Sequence, residues 1–187
     1  MNKKIVIASI LKSTQDIRTY HKIAKTIANQ TNYDIHLIGH TSTNDNTSTN
    51  DGNIKFHRLY TFPRLSLKRL TANWYFFLLL WNLKPNIIIV STFELLPASL
   101  LYKLLFRVRL GYDVQENYAF NVYYSKVFPY LLRPILYFWI RLLEIFAHPF
   151  INFYLLAEDC YALEIPFMKS KSYLLPNKFL QIGRAHV

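Results

Sequence analysis

Residues 86–118 constrain the fold of this chain more than any other stretch. Ile87 to Val90 is a short β-branched apolar run, the pattern of a strand covered on both faces. Ser91 to Glu94 is a polar exit, and Leu95 to Phe106 carries apolar residues around most of a helix. Arg109 to Val114 reads as a second strand, with its own polar exit at Gln115 to Tyr118. Strand, helix and strand make a right-handed βαβ unit whose two exits lie side by side at the carboxyl ends of parallel strands. Open α/β sheets bind ligands along that edge. Glu94, Gln115, Glu116 and Asn117 then either face one crevice or serve as solvated loop residues and helix caps.

The rest of the chain extends the same rhythm. Lys4 to Ala8 is a strand and Ser9 to Gln15 a polar loop, after which Asp16 caps a helix. Strands follow at Tyr33 to Ile38 and Ile54 to Leu59, separated by the Thr-, Ser-, Asn- and Asp-rich stretch Thr41 to Asn53, read as a mobile loop. Pro63 to Leu83 is a helix with Arg64, Lys68 and Arg69 leading and Trp74, Tyr75, Phe76, Phe77 and Trp81 behind. It is either core or an interfacial anchor. In Tyr123 to Phe153, Pro129 and Pro134 divide the helical pattern into two pieces, with Lys126, Arg133, Arg141 and Glu144 on one stripe. Strands at Phe153 to Ala157 and Tyr173 to Leu175 flank a short helix at Glu158 to Leu163. Strands alternating with helices in this way predict an α/β fold, a doubly wound and mostly parallel Rossmann-like sheet.

Composition narrows the partners. Hydrophobic residues make up 52% of the 187 and aromatics 17%, more than one domain's interior requires, so apolar surface is left for something else. Lys and Arg number 22 against 11 Asp and Glu, a formal charge of +11. That balance favours anionic partners. The basic residues sit within aromatic helices rather than in a polar basic tract, which points to an anionic membrane surface and away from nucleic acid. The longest uncharged runs, Leu70 to Leu83 and Ile145 to Ala157, fall short of the roughly 20 residues a spanning helix needs. One cysteine, Cys160, excludes an internal disulfide and fits a reducing compartment. Met1-Asn2-Lys3-Lys4 leads straight into a strand, so no signal peptide is expected and the expected location is cytoplasmic, peripheral on the inner face of the plasma membrane.

Several chemistries are disfavoured. With four glycines in the chain, none in a Gly-x-Gly-x-x-Gly pattern, no glycine-rich phosphate cradle is available, and no nucleotide cofactor is expected in this domain. The six histidines show no His-Glu-x-x-His spacing, so no metal site is expected. No Gly-x-Ser-x-Gly elbow occurs.

Four segments in order carry a family resemblance. Asp16-Ile17-Arg18-Thr19-Tyr20-His21-Lys22-Ile23-Ala24-Lys25 resembles the first helix of group-4 (GT4) retaining glycosyltransferases of the GT-B fold. Glu94-Leu95-Leu96-Pro97 and Tyr112-Asp113-Val114-Gln115-Glu116-Asn117-Tyr118 resemble that family's second and third landmarks. Leu156-Ala157-Glu158 with Leu175-Pro176-Asn177-Lys178 is similar to its last strands before the interdomain hinge. The match runs from about Lys4 to Phe179. Many members carry histidine where this chain has Ser91 and Gln115, which places any histidine-dependent role there in doubt.

The resemblance implies an amino-terminal domain that binds the acceptor of a sugar transfer, a sugar or lipid-linked molecule of the cell envelope. The nucleotide-sugar donor would be held by a carboxy-terminal domain not contained in this sequence. It implies an acceptor-binding domain over residues 1–176 and a linker beginning at 177–181; independently of it, the tail at 182–187, Ile-Gly-Arg-Ala-His-Val, resembles a translated sequencing adapter and is expected to be non-native. Lys12, Asp16 and Arg18 would line one side of the crevice, with Glu94, Gln115 and Asn117 opposite. Arg18 would grip a phosphate or carboxylate bidentately. Glu116 would orient or deprotonate the acceptor hydroxyl, as the catalytic group of this half. The alternative is a non-catalytic subunit that recruits a separate donor-binding domain to the membrane.

Overall fold

The computed structural model describes residues 2–40, 50–60, 69 and 71–177. The basic leading turn at Arg64 and Lys68, most of the Thr41 to Asn53 loop and the 182–187 tail lie outside the described residues. Seven strands form one sheet: β1 (Lys4–Ser13), β2 (Asp34–His40), β3 (Ile54–Tyr60), β4 (Ile87–Val90), β5 (Arg109–Val114), β6 (Phe153–Leu156) and β7 (Ser172–Leu174). Their order is β3-β2-β1-β4-β5-β6-β7, and every neighbouring pair is parallel. This is the doubly wound Rossmann-like sheet that the alternation of elements predicts.

Side chains alternate between two cores. Val6, Ala8, Ile10, Ile88, Val90 and Tyr112 face one side, packing under α2 (Ala72–Leu83) and α3 (Leu96–Phe106) through Phe76, Leu80 and Tyr102. Ile5, Ile7, Ile35 and Leu37 face the other, under a π-helical segment, Ile17–Ala24, that continues as α1 (Lys25–Gln30). α5 (Leu132–Ala147) packs beside α3, and α4 (Tyr118–Tyr124) packs on α5. A four-residue helix, α6 (Tyr161–Glu164), precedes β7. No helix among the described residues is long and apolar enough to cross a membrane.

Differences from the sequence reading have local causes. β1 does not end at Ala8: the Ser9–Ser13 stretch stays extended, with Ile10 buried, and Ser13 pairs with His40 after a register shift. Helix α4 starts at Tyr118 because Asn117 caps it. Pro134 does not break α5, since it sits in the first turn, where its missing N–H has no intrahelical partner to lose. Lys126 lies between α4 and α5, and Glu144 is buried, so those charges do not share one solvated stripe. In a chain this poor in glycine, Lys84 and Arg107 supply the left-handed residues that end α2 and α3, each at φ 52°.

Gly39 is where a glycine is required. A Cβ there would lie 2.7 Å from the Lys12 carbonyl oxygen and 2.8 Å from the Thr14 nitrogen, both backbone atoms. Gly39→Ala should therefore push the end of β1 off β2 and lower stability by about 1–3 kcal/mol, read from the midpoint of urea unfolding. An unchanged midpoint would show that the β1 extension is not held against β2.

Candidate functional site

The chain builds β1, β2 and β3 outward in one direction and then returns to lay β4 on the other side of β1. Strand order reverses there, and the carboxyl ends of β1, β4 and β5 form one rim. The exits after β4 and β5 meet directly: the Tyr118 hydroxyl donates to the Ser91 carbonyl at 3.0 Å, and the Phe93 and Tyr118 rings lie 5.6 Å apart. Glu94 and Glu116 thus occupy the same edge of the sheet.

Beneath the rim is a buried polar network centred on Asp113. Leu110, Tyr112 and Val114 face the α2–α3 side, so Asp113 faces the opposite core, fully buried. The Arg18 guanidinium meets it with two nitrogens: Nε donates at 2.9 and 3.2 Å and Nη2 at 2.7 Å. Ser91 Oγ donates to the same carboxylate at 3.2 Å and Gln115 Nε2 at 2.5 Å. Gln115 Oε1 accepts from Lys12 Nζ, which also stands 3.9 Å from Asp16 Oδ1. Asp16 caps the π-helical segment, its Oδ2 accepting from the backbone N–H of Arg18 at 3.1 Å and of Thr19 at 3.2 Å. Every member of this network is joined to the next.

Arg18 is consequently not the substrate clamp that the sequence suggests. It is 3% exposed, and its remaining nitrogen, Nη1, donates to the Leu175 carbonyl and to Asn177 Oδ1, the latter at 2.9 Å. The bidentate geometry of its fork is used inside the protein. Asn117 is likewise committed: Oδ1 accepts from the Phe120 N–H and from Arg141 Nη2, and Nδ2 donates to Glu164 Oε2 at 2.7 Å. It is a helix cap. Gln115 is buried within the network, where its amide links Lys12 to Asp113.

Four predicted residues remain at the rim: Lys12, Asp16, Glu94 and Glu116. Lys12 and Asp16 are partly exposed, 32% and 23%. Glu94 sits in a 3-10 turn, Phe93–Leu95, with Oε1 paired to Arg69 Nη2. Its Oε2 is buried and takes no hydrogen bond, and the same is true of Thr92 Oγ1. Such atoms need a polar partner when water is excluded. Glu116 is half-buried and accepts from Asn121 Nδ2 at 2.9 Å. Asp16, Glu94 and Asp113 each have a cationic partner, whereas no ion pair to Glu116 occurs among the described residues. A carboxylate of that kind can accept a proton from a hydroxyl brought to the rim. Among the described residues no group of three or more His, Cys, Asp or Glu side chains is placed to hold a metal ion.

A second buried network holds the rim from below. Glu144 accepts from Tyr112 Oη at 3.2 Å and from Arg141 Nη1 at 2.7 Å, and Arg141 reaches on to Asn117. Burial outweighs Arg141 and Tyr112 and raises the Glu144 carboxyl from 4.5 to about 7. Sequence reasoning assigns no site role to Asp113 or Glu144. The usable signal was Asp113 in a strand otherwise covered on both faces, where a charge requires a buried partner.

No family model matches the sequence, and no curated protein matches it. Solved structures do match. Sucrose-phosphate synthase from Thermosynechococcus elongatus aligns over 94% of this chain and 48% of its own, at 9% identity and a TM-score of 0.67. HepE from Anabaena, in complex with UDP and glucose, aligns over 95% and 45% at 14% identity and TM-score 0.58. MurG from Acinetobacter baumannii aligns over 96% and 47% at 14% identity and TM-score 0.53. The likeness establishes the fold, the Rossmann-like architecture found in GT-B glycosyltransferases. The chain spans about half the length of these three structures.

Asp113→Ala should cost about 3–5 kcal/mol in denaturant unfolding, because it strands the Arg18 charge in the interior. A loss below 1 kcal/mol would mean that solvent reaches the guanidinium. Glu144 has a pH signature of the opposite sense to an ordinary salt-bridged acid. Its folded value lies above its unfolded one, so its contribution to stability is fullest below about 4.5 and is lost as pH rises to about 7. Glu144→Gln should flatten the stability profile across that window.

Proposed function

We propose that this chain is the acceptor-binding half of a GT4-type retaining glycosyltransferase, which moves a sugar from a nucleotide-sugar donor to a cell-envelope polysaccharide or lipid-linked acceptor. The observation that carries this reading is the shared rim of β4 and β5, where Glu94 and Glu116 sit together above the Asp113 network. The four motif resemblances and the GT-B fold support it. Within this reading the acceptor enters over the rim. Glu94, paired with Arg69, borders the acceptor site, Lys12 and Asp16 bind acceptor hydroxyls, and Glu116 orients or deprotonates the attacking hydroxyl. Ser91 and Gln115 supply no imidazole, so proton transfer on this side falls to a carboxylate. Arg18, Asp113 and Asn117 hold these groups in place without touching substrate.

The donor belongs to a second domain in this reading, since the chain has no glycine-rich cradle and each structure reported above is about twice as long. The second reading, a subunit without its own activity that recruits a separate donor-binding chain to the membrane, is favoured by the exposed apolar helices. A donor-binding domain encoded in the same reading frame supports the first, and a free-standing one the second.

Glu116→Gln in the protein carrying both domains should lower sugar-transfer kcat by roughly 10²-fold or more with KM little changed. Unchanged turnover would remove Glu116 from the chemistry. Transfer catalysed by this chain with no partner would overturn the assignment of the donor to another domain.

A further inference from the structure

Helix α5 is inverted relative to a normal surface helix. Its inward face carries Glu144 and the half-buried Arg141 beside Ile140 and Ala147, whereas Ile135, Phe138, Trp139, Leu142, Ile145 and Phe146 all face outward. Those six fall at helical spacing on one stripe. The neighbouring helices continue it. Trp74, Tyr75, Leu78 and Trp81 are exposed on α2, and Leu101, Leu104 and Leu105 on α3, which packs between α2 and α5. All three tryptophans of the chain lie here, exposed at 63% (Trp74), 50% (Trp81) and 56% (Trp139). The sequence singles out the α2 helix as the candidate anchor; the structure makes it one third of a wider surface.

We infer that the outer face of the α2–α3–α5 layer, together with the tip joining α4 to α5, is the surface by which this protein lies in the interface of an anionic lipid bilayer. Charge selects the occupant. The sole carboxylate on these three helices is Glu144, which is buried, while Lys84, Arg107 and Lys126 stand exposed at the margins. An apolar floor rich in Trp and Tyr, edged by basic residues and free of exposed acids, matches the headgroup boundary of a bilayer. The end of the described chain does not cover this face: Asn177 is held by Arg18 on the π-helical side of the sheet.

The α4–α5 tip gives the surface a direction. Arg141 is level with Asn117 at the rim, so the nine residues of α5 before it carry the helix about 13 Å past the crevice. Tyr130 and Leu131 at that tip are among the most exposed apolar side chains of the protein, and Arg133 joins them in a cleft of about 310 Å³ with Tyr123, Tyr124 and Pro134. A tip immersed in headgroups brings the rim to the lipid plane, where an acceptor anchored in the membrane would present its sugar. This last step rests on the proposed function, but the docking itself does not.

The tryptophans report binding without a label. Adding phosphatidylcholine vesicles that contain phosphatidylglycerol should shift their emission to the blue, and lipids brominated on the acyl chain should quench it. Binding should be roughly tenfold tighter than to phosphatidylcholine alone. Phe138→Glu with Phe146→Glu should weaken it at least roughly tenfold, because both rings leave water on docking. Ile17→Glu, on the opposite side of the sheet, should leave it unchanged. Emission indifferent to both vesicle types would overturn the inference. So would a blue shift that grows with protein concentration without lipid, at the sedimentation mass of a dimer, since a second copy would then be the occupant. Glu116→Gln should leave vesicle binding intact, so failure of the catalytic reading and failure of this one are separable.

Discussion

The ion pair between Arg18 and Asp113 is the contact on which the arrangement of the rim depends. Moving either charge into the interior alone costs several kcal/mol, and the cost is offset only where hydrogen bonds satisfy both groups. Here they do. The carboxylate receives the guanidinium, Ser91 and Gln115, while the guanidinium reaches on to Leu175 and Asn177. One residue from the π-helical segment therefore fixes the exits of β4, β5 and β7 relative to one another. A buried pair of this kind is weak evidence for stability but strongly specifies geometry, because any displaced alternative leaves an unpaired charge.

That commitment explains which parts of the site were legible. The β4 run was readable to the residue because a strand covered on both faces is continuously apolar; β5, which carries Arg109 and Asp113, was readable from its place after the crossover helix, and the shared rim follows from the handedness of that crossover. Asp16 as a helix cap was readable from its position before the apolar periodicity. Arg18 was misread because sequence shows that a guanidinium can hold a carboxylate but not whose carboxylate it holds. Asn117 falls the same way, a polar residue at a strand exit that is spent on capping α4 and on Arg141. The polar run Ser9–Ser13 looks like a loop, yet it pairs on past Ala8 because Gly39 lets the two backbones approach. Arg69 stood out only as part of a basic turn, although its contact with Glu94 orients a rim carboxylate.

The outer helical layer obeys a different logic. Charges spaced along a helix usually mark its solvated face, and Arg141 with Glu144 looks like such a stripe. The structure turns both toward the sheet, where Tyr112 and Asn117 need partners, and leaves the aromatic side outward. Most of the exposed large hydrophobic residues among those described are thus gathered on one face, with Ile17, Leu163, Tyr173 and Leu174 lying elsewhere. The polar rim and the apolar flank then lie next to each other, joined by α5.

Under the proposed function the carboxyl-end rim, not another depression, receives the acceptor. A competing cleft of about 330 Å³ lies at the amino ends of β4 and β5, lined by Lys84, Asn86, Tyr102, Phe106 and Arg107 among others. Titrating a short cell-envelope oligosaccharide into the isotopically labelled chain and following backbone amide shifts separates the two. Perturbations should group at Lys12, Thr92, Glu94 and Glu116, with Lys84 to Asn86 unmoved. Shifts confined to Lys84, Asn86 and Arg107, with the rim silent, would contradict this reading.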